Sequence, residues 1–161
     1  MSTRQPTTFD DQPVPVRAKL AAAWTSFMFL YAYVDILNFF TPGTIQDILN
    51  GKVFEFDLSQ TFSTTALALM AVPILMIVLS TTLPARPNRL ANLIVAALYV
   101  PVTAFNALSE SWLFFYGLGI ALELLLLALI LRTAWTWPHT SRSAIIATSP
   151  DRETVPRLGN L

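Results

Sequence analysis

Two carboxylic acids, Asp35 and Glu123, stand inside long apolar stretches, and no basic residue lies at the depth of either. Charged groups are rare in such surroundings and usually face a bundle interior, a cavity or a partner. Each acid sits in a stripe. Trp24, Met28, Tyr31, Asp35 and Asn38 follow one another at steps of four, three, four and three, which places them on one helix face. Asn92, Tyr99, Thr103, Asn106 and Glu110 form a second stripe, and Trp112, Tyr116, Gly119 and Glu123 a third. Glu123 lies eleven residues into its stretch, about 16 Å deep, close to the middle of a bilayer. Tyr31 and Tyr99 lie about 13–14 Å deep, so either phenol could hydrogen-bond it. Asp35 is about 9 Å shallower than Glu123, too far for direct pairing of the two carboxyl groups.

The elements that must carry these stripes are helices. Of 161 residues, 54% are hydrophobic and only 12% charged, half the usual share for a soluble domain. That composition excludes an ordinary soluble domain, a disordered chain and a nucleic-acid binder. Four stretches are long enough to cross about 30 Å of hydrocarbon, at about 18–40, 61–83, 90–108 and 112–134. None alternates polar with apolar residues as a membrane strand would. The first is longer than the core of a secretion signal and is expected to be a retained helix. Nine of the ten basic residues precede the first stretch, lie between the second and third, or fall at or after the end of the fourth. Only Lys52 lies on the other side. By the positive-inside rule both termini are cytoplasmic. The fold class is therefore all-α, a polytopic membrane protein built as an antiparallel four-helix transmembrane bundle in the cell membrane.

Residues 1–16 and 138–161 read as disordered tails flanking a transmembrane domain over 17–137. In the outer loop, 41–60, Pro42 and Gly43 break the first helix. Thr44 is placed to cap a short helix through Asn50, ended by Gly51. Phe54, Phe56 and Leu58 alternate with Glu55 and Asp57, an extended piece that could serve as a lid or as a plain connector. The connection Leu108-Ser109-Glu110-Ser111-Trp112 is tight enough to force an antiparallel helix pair. Trp24, Trp112, Trp135 and Trp137 lie near span ends and read as interfacial anchors. Pro73 and Pro101 each remove one rung of helix hydrogen bonding and free a carbonyl.

Cysteine is absent, and His139 is the single histidine. With no phosphate-binding loop and no metal-ligand spacing, neither a cofactor nor a metal is expected. The polar pocket is expected to open toward the outer face, walled by Tyr31, Asp35, Asn38, Tyr99, Asn106, Glu110, Tyr116 and Glu123. Aromatic rings and carboxyl groups suit a small lipophilic or cationic ligand. Transport would require a homo-oligomer, since four helices seldom enclose a pathway alone. Two other readings stand beside this one. One is a membrane-embedded enzyme passing a proton on a lipid-like substrate, which the spacing of the acids disfavours. The other is an accessory subunit of a membrane complex, in which the polar stripes only glue helices together.

Several local sequences have a familiar look: Tyr33-Val34-Asp35-Ile36-Leu37 followed by Pro42, Pro73-Ile74-Leu75-Met76 with Leu79-Ser80, Asn88-Arg89-Leu90-Ala91-Asn92, and Ala134-Trp135-Thr136-Trp137 after Glu123. Over residues 17–137 the chain resembles an uncharacterised family of bacterial four-helix integral membrane proteins. The layout is also loosely similar to DoxX-type and sterol-isomerase-type proteins, the latter using acids inside the bundle for proton transfer. The resemblance implies the four-helix architecture and no particular reaction.

Overall fold

A computed structural model describes residues 13–53, 56–106 and 112–138, with the side chain of residue 106 not described. The chain runs α1 (Val16–Asn38), α2 (Thr44–Leu49), β1 (Lys52–Val53), β2 (Phe56–Asp57), α3 (Gln60–Thr82), α4 (Ala85–Asn106) and α5 (Leu113–Trp135). Among the described residues, α1, α3, α4 and α5 are the helices long and apolar enough to cross a membrane. The outward sides of these helices carry large exposed apolar residues, among them Phe29, Leu67, Leu75, Ile94, Leu98, Leu118 and Leu125. Hydrocarbon is the surrounding that such a surface suits.

α5 packs on both α1 and α4, and α1 packs on α3. α1 and α5 run in opposite directions: Tyr116 meets Asn38, and Gly119, three residues on, meets Val34. The core gathers at one end of the four helices. It consists of Leu20, Ala23, Trp24 and Phe27 of α1, Met76 of α3, Ala96 and Tyr99 of α4, and Leu127, Ile130 and Ala134 of α5. In α3 the buried residues begin at Pro73, and none of its residues before that point is buried. Toward the other end Thr103 of α4 and Gly119 and Glu123 of α5 are buried as well, and α3 contributes no buried residue there.

The closed end is finished by side chains that take up helix-terminal carbonyls, which no intrahelical N–H can reach. Asn88 Nδ2 donates to Ser80 O at 2.7 Å, and Arg17 Nη1 to Thr81 O at 3.4 Å. At the end of α5, Arg89 donates to Ala134 O at 3.2 Å and to Trp135 O at 3.4 Å. A cation at a helix C-terminus also complements its dipole.

α4 begins at Ala85, five residues before the expected span. Pro87 falls in the first helical turn, where a missing N–H costs nothing, so the proline does not stop the helix. In the outer loop, Gly43 rather than Thr44 precedes α2, with φ +93°. The Thr44 hydroxyl instead meets that of Thr41 at 2.5 Å. The expected extended piece is the second arm of a hairpin, pairing Lys52 with Asp57 and Val53 with Phe56. Residues 107–111 of the tight turn expected between the third and fourth spans, most of both tails and His139 lie outside the described residues, while Val16, expected in the first tail, begins α1.

Candidate functional site

Polar side chains enter the bundle at two levels. At the closed end, Asn92 joins three helices and uses its full hydrogen-bonding capacity. Its Oδ1 accepts from Trp24 Nε1 at 2.7 Å and from Ser80 Oγ at 3.3 Å. Its Nδ2 donates to Asn88 O at 2.9 Å and to Asn88 Oδ1 at 2.7 Å. Trp24 is fully buried, so it is a core residue and not an interfacial anchor. The hydrogen bond to Asn92 satisfies the indole N–H that burial would otherwise strand. Trp112 and Trp135, by contrast, are exposed.

One level further along, Tyr99 is packed edge-on against Trp24 and Phe27, with ring centroids 6.4 and 6.0 Å away. Its hydroxyl donates to the carbonyl of Leu69. Leu69 lies four residues before Pro73, and the proline has no N–H to give that carbonyl. The phenol of Tyr99 therefore completes α3 from outside, and is not committed to Glu123 as the depth count had suggested.

Glu123 lies beside the hydroxyl of Thr103, across the α4–α5 interface. Thr103 is fully buried and Glu123 is 5% exposed. Yet Thr103 Oγ1 and Glu123 Oε2 reach hydrogen-bonding geometry with no partner among the described residues. Asp35 of α1 is close enough for its charge to be felt at Glu123. Tyr31 interacts electrostatically with Tyr99 in the same region.

The remaining predicted residues lie nearer the end opposite the closed one. Tyr31, Asn38 and Tyr116 are half-buried, and Asp35 is exposed. Asn38 Oδ1 accepts from Tyr116 Oη at 2.6 Å and from Thr41 Oγ1 at 3.0 Å, which ties the end of α1 to the start of α5. Asn106 ends α4, and Glu110 lies outside the described residues. The structure thus brings Tyr31, Asp35, Tyr99 and Glu123 into one region and gives Asn38 and Tyr116 to a separate contact. Sequence reasoning named Thr103 as part of a stripe without giving it a role. The signal was its spacing of three residues before Asn106 and four after Tyr99.

Chemically, the Glu123–Thr103 pair offers an acceptor oxygen and a hydroxyl that can both donate and accept, inside an apolar bundle. Among the described residues no group of three histidine, aspartate or glutamate side chains converges as metal ligands would. The model of a family of unknown function, DUF6326, matches residues 14–143, and the chain belongs to that family. No curated protein and no solved structure matches it.

Proposed function

We propose that this member of DUF6326 is a multi-pass membrane protein that binds a small lipophilic or cationic ligand inside its helix bundle. The helices are read as antiparallel spans, with both termini on the cytoplasmic side. One observation carries the binding reading: Glu123 Oε2 and Thr103 Oγ1, side by side on neighbouring helices, are buried and reach regular hydrogen-bonding geometry with no described group, each other included. Native proteins satisfy nearly all such atoms, because a stranded one costs about 1–3 kcal/mol. A ligand with an N–H or O–H group satisfies the carboxyl oxygen, and its apolar body suits the surrounding rings. The approach is from the half opposite the closed end, past Tyr31 and Asp35, where α3 before Pro73 contributes no buried residue.

Native mass spectrometry of gently extracted protein tests this reading. A small molecule retained by the wild type and lost from Glu123→Gln and Thr103→Val supports it and identifies the ligand. Retention of the same molecule by both variants removes the pair from the site and ends the reading. Orientation is tested on a chain with no cysteine of its own. Single cysteines at Lys52 and Arg86 should react with an impermeant thiol reagent from opposite sides, Lys52→Cys from outside intact cells.

A further inference from the structure

At the closed end, away from the Glu123 region, the structure contains an open-sided groove of about 600 Å³. It is lined by Ala85, Arg86, Arg89, Leu90, Leu93, Trp137 and Pro138. Its floor is one face of α4, since Arg86, Arg89 or Leu90, and Leu93 follow at three- and four-residue steps. Its wall is the segment that leaves α5, held against α4 by the two bonds from Arg89 to Ala134 O and Trp135 O.

The groove changes character along its length. Arg86 is exposed and makes no hydrogen bond or ion pair among the described residues, and half-buried Arg89 stands one turn on. Leu90 and Leu93 continue the same face, Leu93 about 10 Å along the helix from Arg86. Trp137 lines the groove from the α5 side and packs against the apolar core of the bundle. A charged mouth leading into an apolar trough, at the end of an apolar helix, has the polarity of one phospholipid molecule.

From this the geometry points to a binding site for an anionic glycerophospholipid. The phosphate lies between Arg86 and Arg89, and an acyl chain follows Leu90 and Leu93 into the bilayer. The assignment rests on reading the four helices as membrane spans. A free phosphate would satisfy the two arginines and leave the leucine trough uncovered.

The test uses the full chain reconstituted into phosphatidylcholine liposomes, with flotation checking insertion separately. Brominated chains quench nearby tryptophan. Brominated phosphatidylglycerol should therefore quench more emission than the same fraction of brominated phosphatidylcholine. Trp137→Phe should abolish the excess. Arg86→Gln should lower the preference for the anionic lipid about fivefold, the usual worth of one arginine near such a surface. Leu90→Ser should weaken the quenching by both lipids. Equal quenching by both lipids in the wild type, or a preference unchanged in Arg86→Gln, overturns the site. Loss of the preference on adding inorganic phosphate assigns the arginines to free phosphate and overturns the lipid. Failure to float with the liposomes ends the membrane reading itself, and the lipid assignment falls with it.

Discussion

The Asn92 cluster and the Glu123–Thr103 pair use similar material: short polar side chains on facing helices, buried among aromatic and branched residues. In the first, every donor and acceptor of the Asn92 amide is used, and the bonds reach α1, α3 and α4. In the second, two buried oxygens have no partner. A closed network fixes the register of helices and leaves nothing for a ligand. An open pair contributes little to the fold and is maintained at a cost, which is the ground of the proposed binding reading. The two sit on either side of Tyr99, whose hydroxyl repairs the gap that Pro73 leaves in α3.

The sharpest way to break this comparison is to break the closed network. Asn92→Leu strands Trp24 Nε1, the Ser80 hydroxyl and Asn88 Oδ1 together. It should destabilise the protein by roughly 3 kcal/mol, the sum of several unmade buried bonds at the low end of their range. Reversible unfolding in mixed micelles measures it. A loss below about 0.5 kcal/mol, ordinary for a surface change, would show that the network does not hold the helices.

A smaller effect is expected at the boundary between the regions. Tyr99→Phe leaves the Leu69 carbonyl without a donor and should cost about 1–2 kcal/mol. The diagnostic is its coupling to Pro73. Pro73→Ala restores an N–H to the ladder, so Tyr99→Phe should cost much less in that background. Equal costs in both backgrounds would separate the phenol from the proline.

The sequence made the four helices legible, because period and hydropathy depend on residue type alone. Of their polar stripes, Trp24, Asn92, Tyr99, Thr103, Gly119 and Glu123 are buried, whereas Asp35 and Trp112 are exposed. Asn92 and Trp24 were each placed on an inward stripe. What the pattern left out was their partnership, since the shared Oδ1 depends on how far α1 and α4 approach. Proline positions were equally visible, yet which neighbour would take the freed carbonyl was not. For Leu69 it is Tyr99 of α4. For Ser80, four residues before Pro84, it is Asn88. Depth counting allowed a bond from Tyr99 to Glu123 because it registers height along the membrane and ignores backbone acceptors such as the Leu69 carbonyl. The groove at Arg86 and Trp137 escaped for a related reason: its two sides come from α4 and the segment that leaves α5, brought together by Arg89, which reaches Ala134 45 residues away.

Gly119→Ala probes the contact that sets the distance between α1 and α5 near the candidate site. A Cβ there would meet Val34 Cγ2 at 3.1 Å, and a β-branched side chain in a helix has little rotamer freedom to yield. The expected cost is about 1 kcal/mol, the low end for overpacking, and Val34→Ala should remove it. A cost that persists in the double variant would place the strain elsewhere on α5.

The smallest stability change is expected where the functional change is largest. Thr103→Val keeps the shape of the side chain and removes an unpartnered buried hydroxyl, so the variant should be at least as stable as wild type. Glu123→Gln keeps an acceptor oxygen and length, and should fall within about 0.5 kcal/mol of wild type. These values belong beside the cost of Asn92→Leu in the same micelles. If Glu123→Gln proves as costly as Asn92→Leu, the carboxyl group is holding helices together, and the contrast between the two regions disappears. If both variants are stable and Glu123→Gln alone loses the retained molecule, the acid is the recognising group and Thr103 only lines its surroundings.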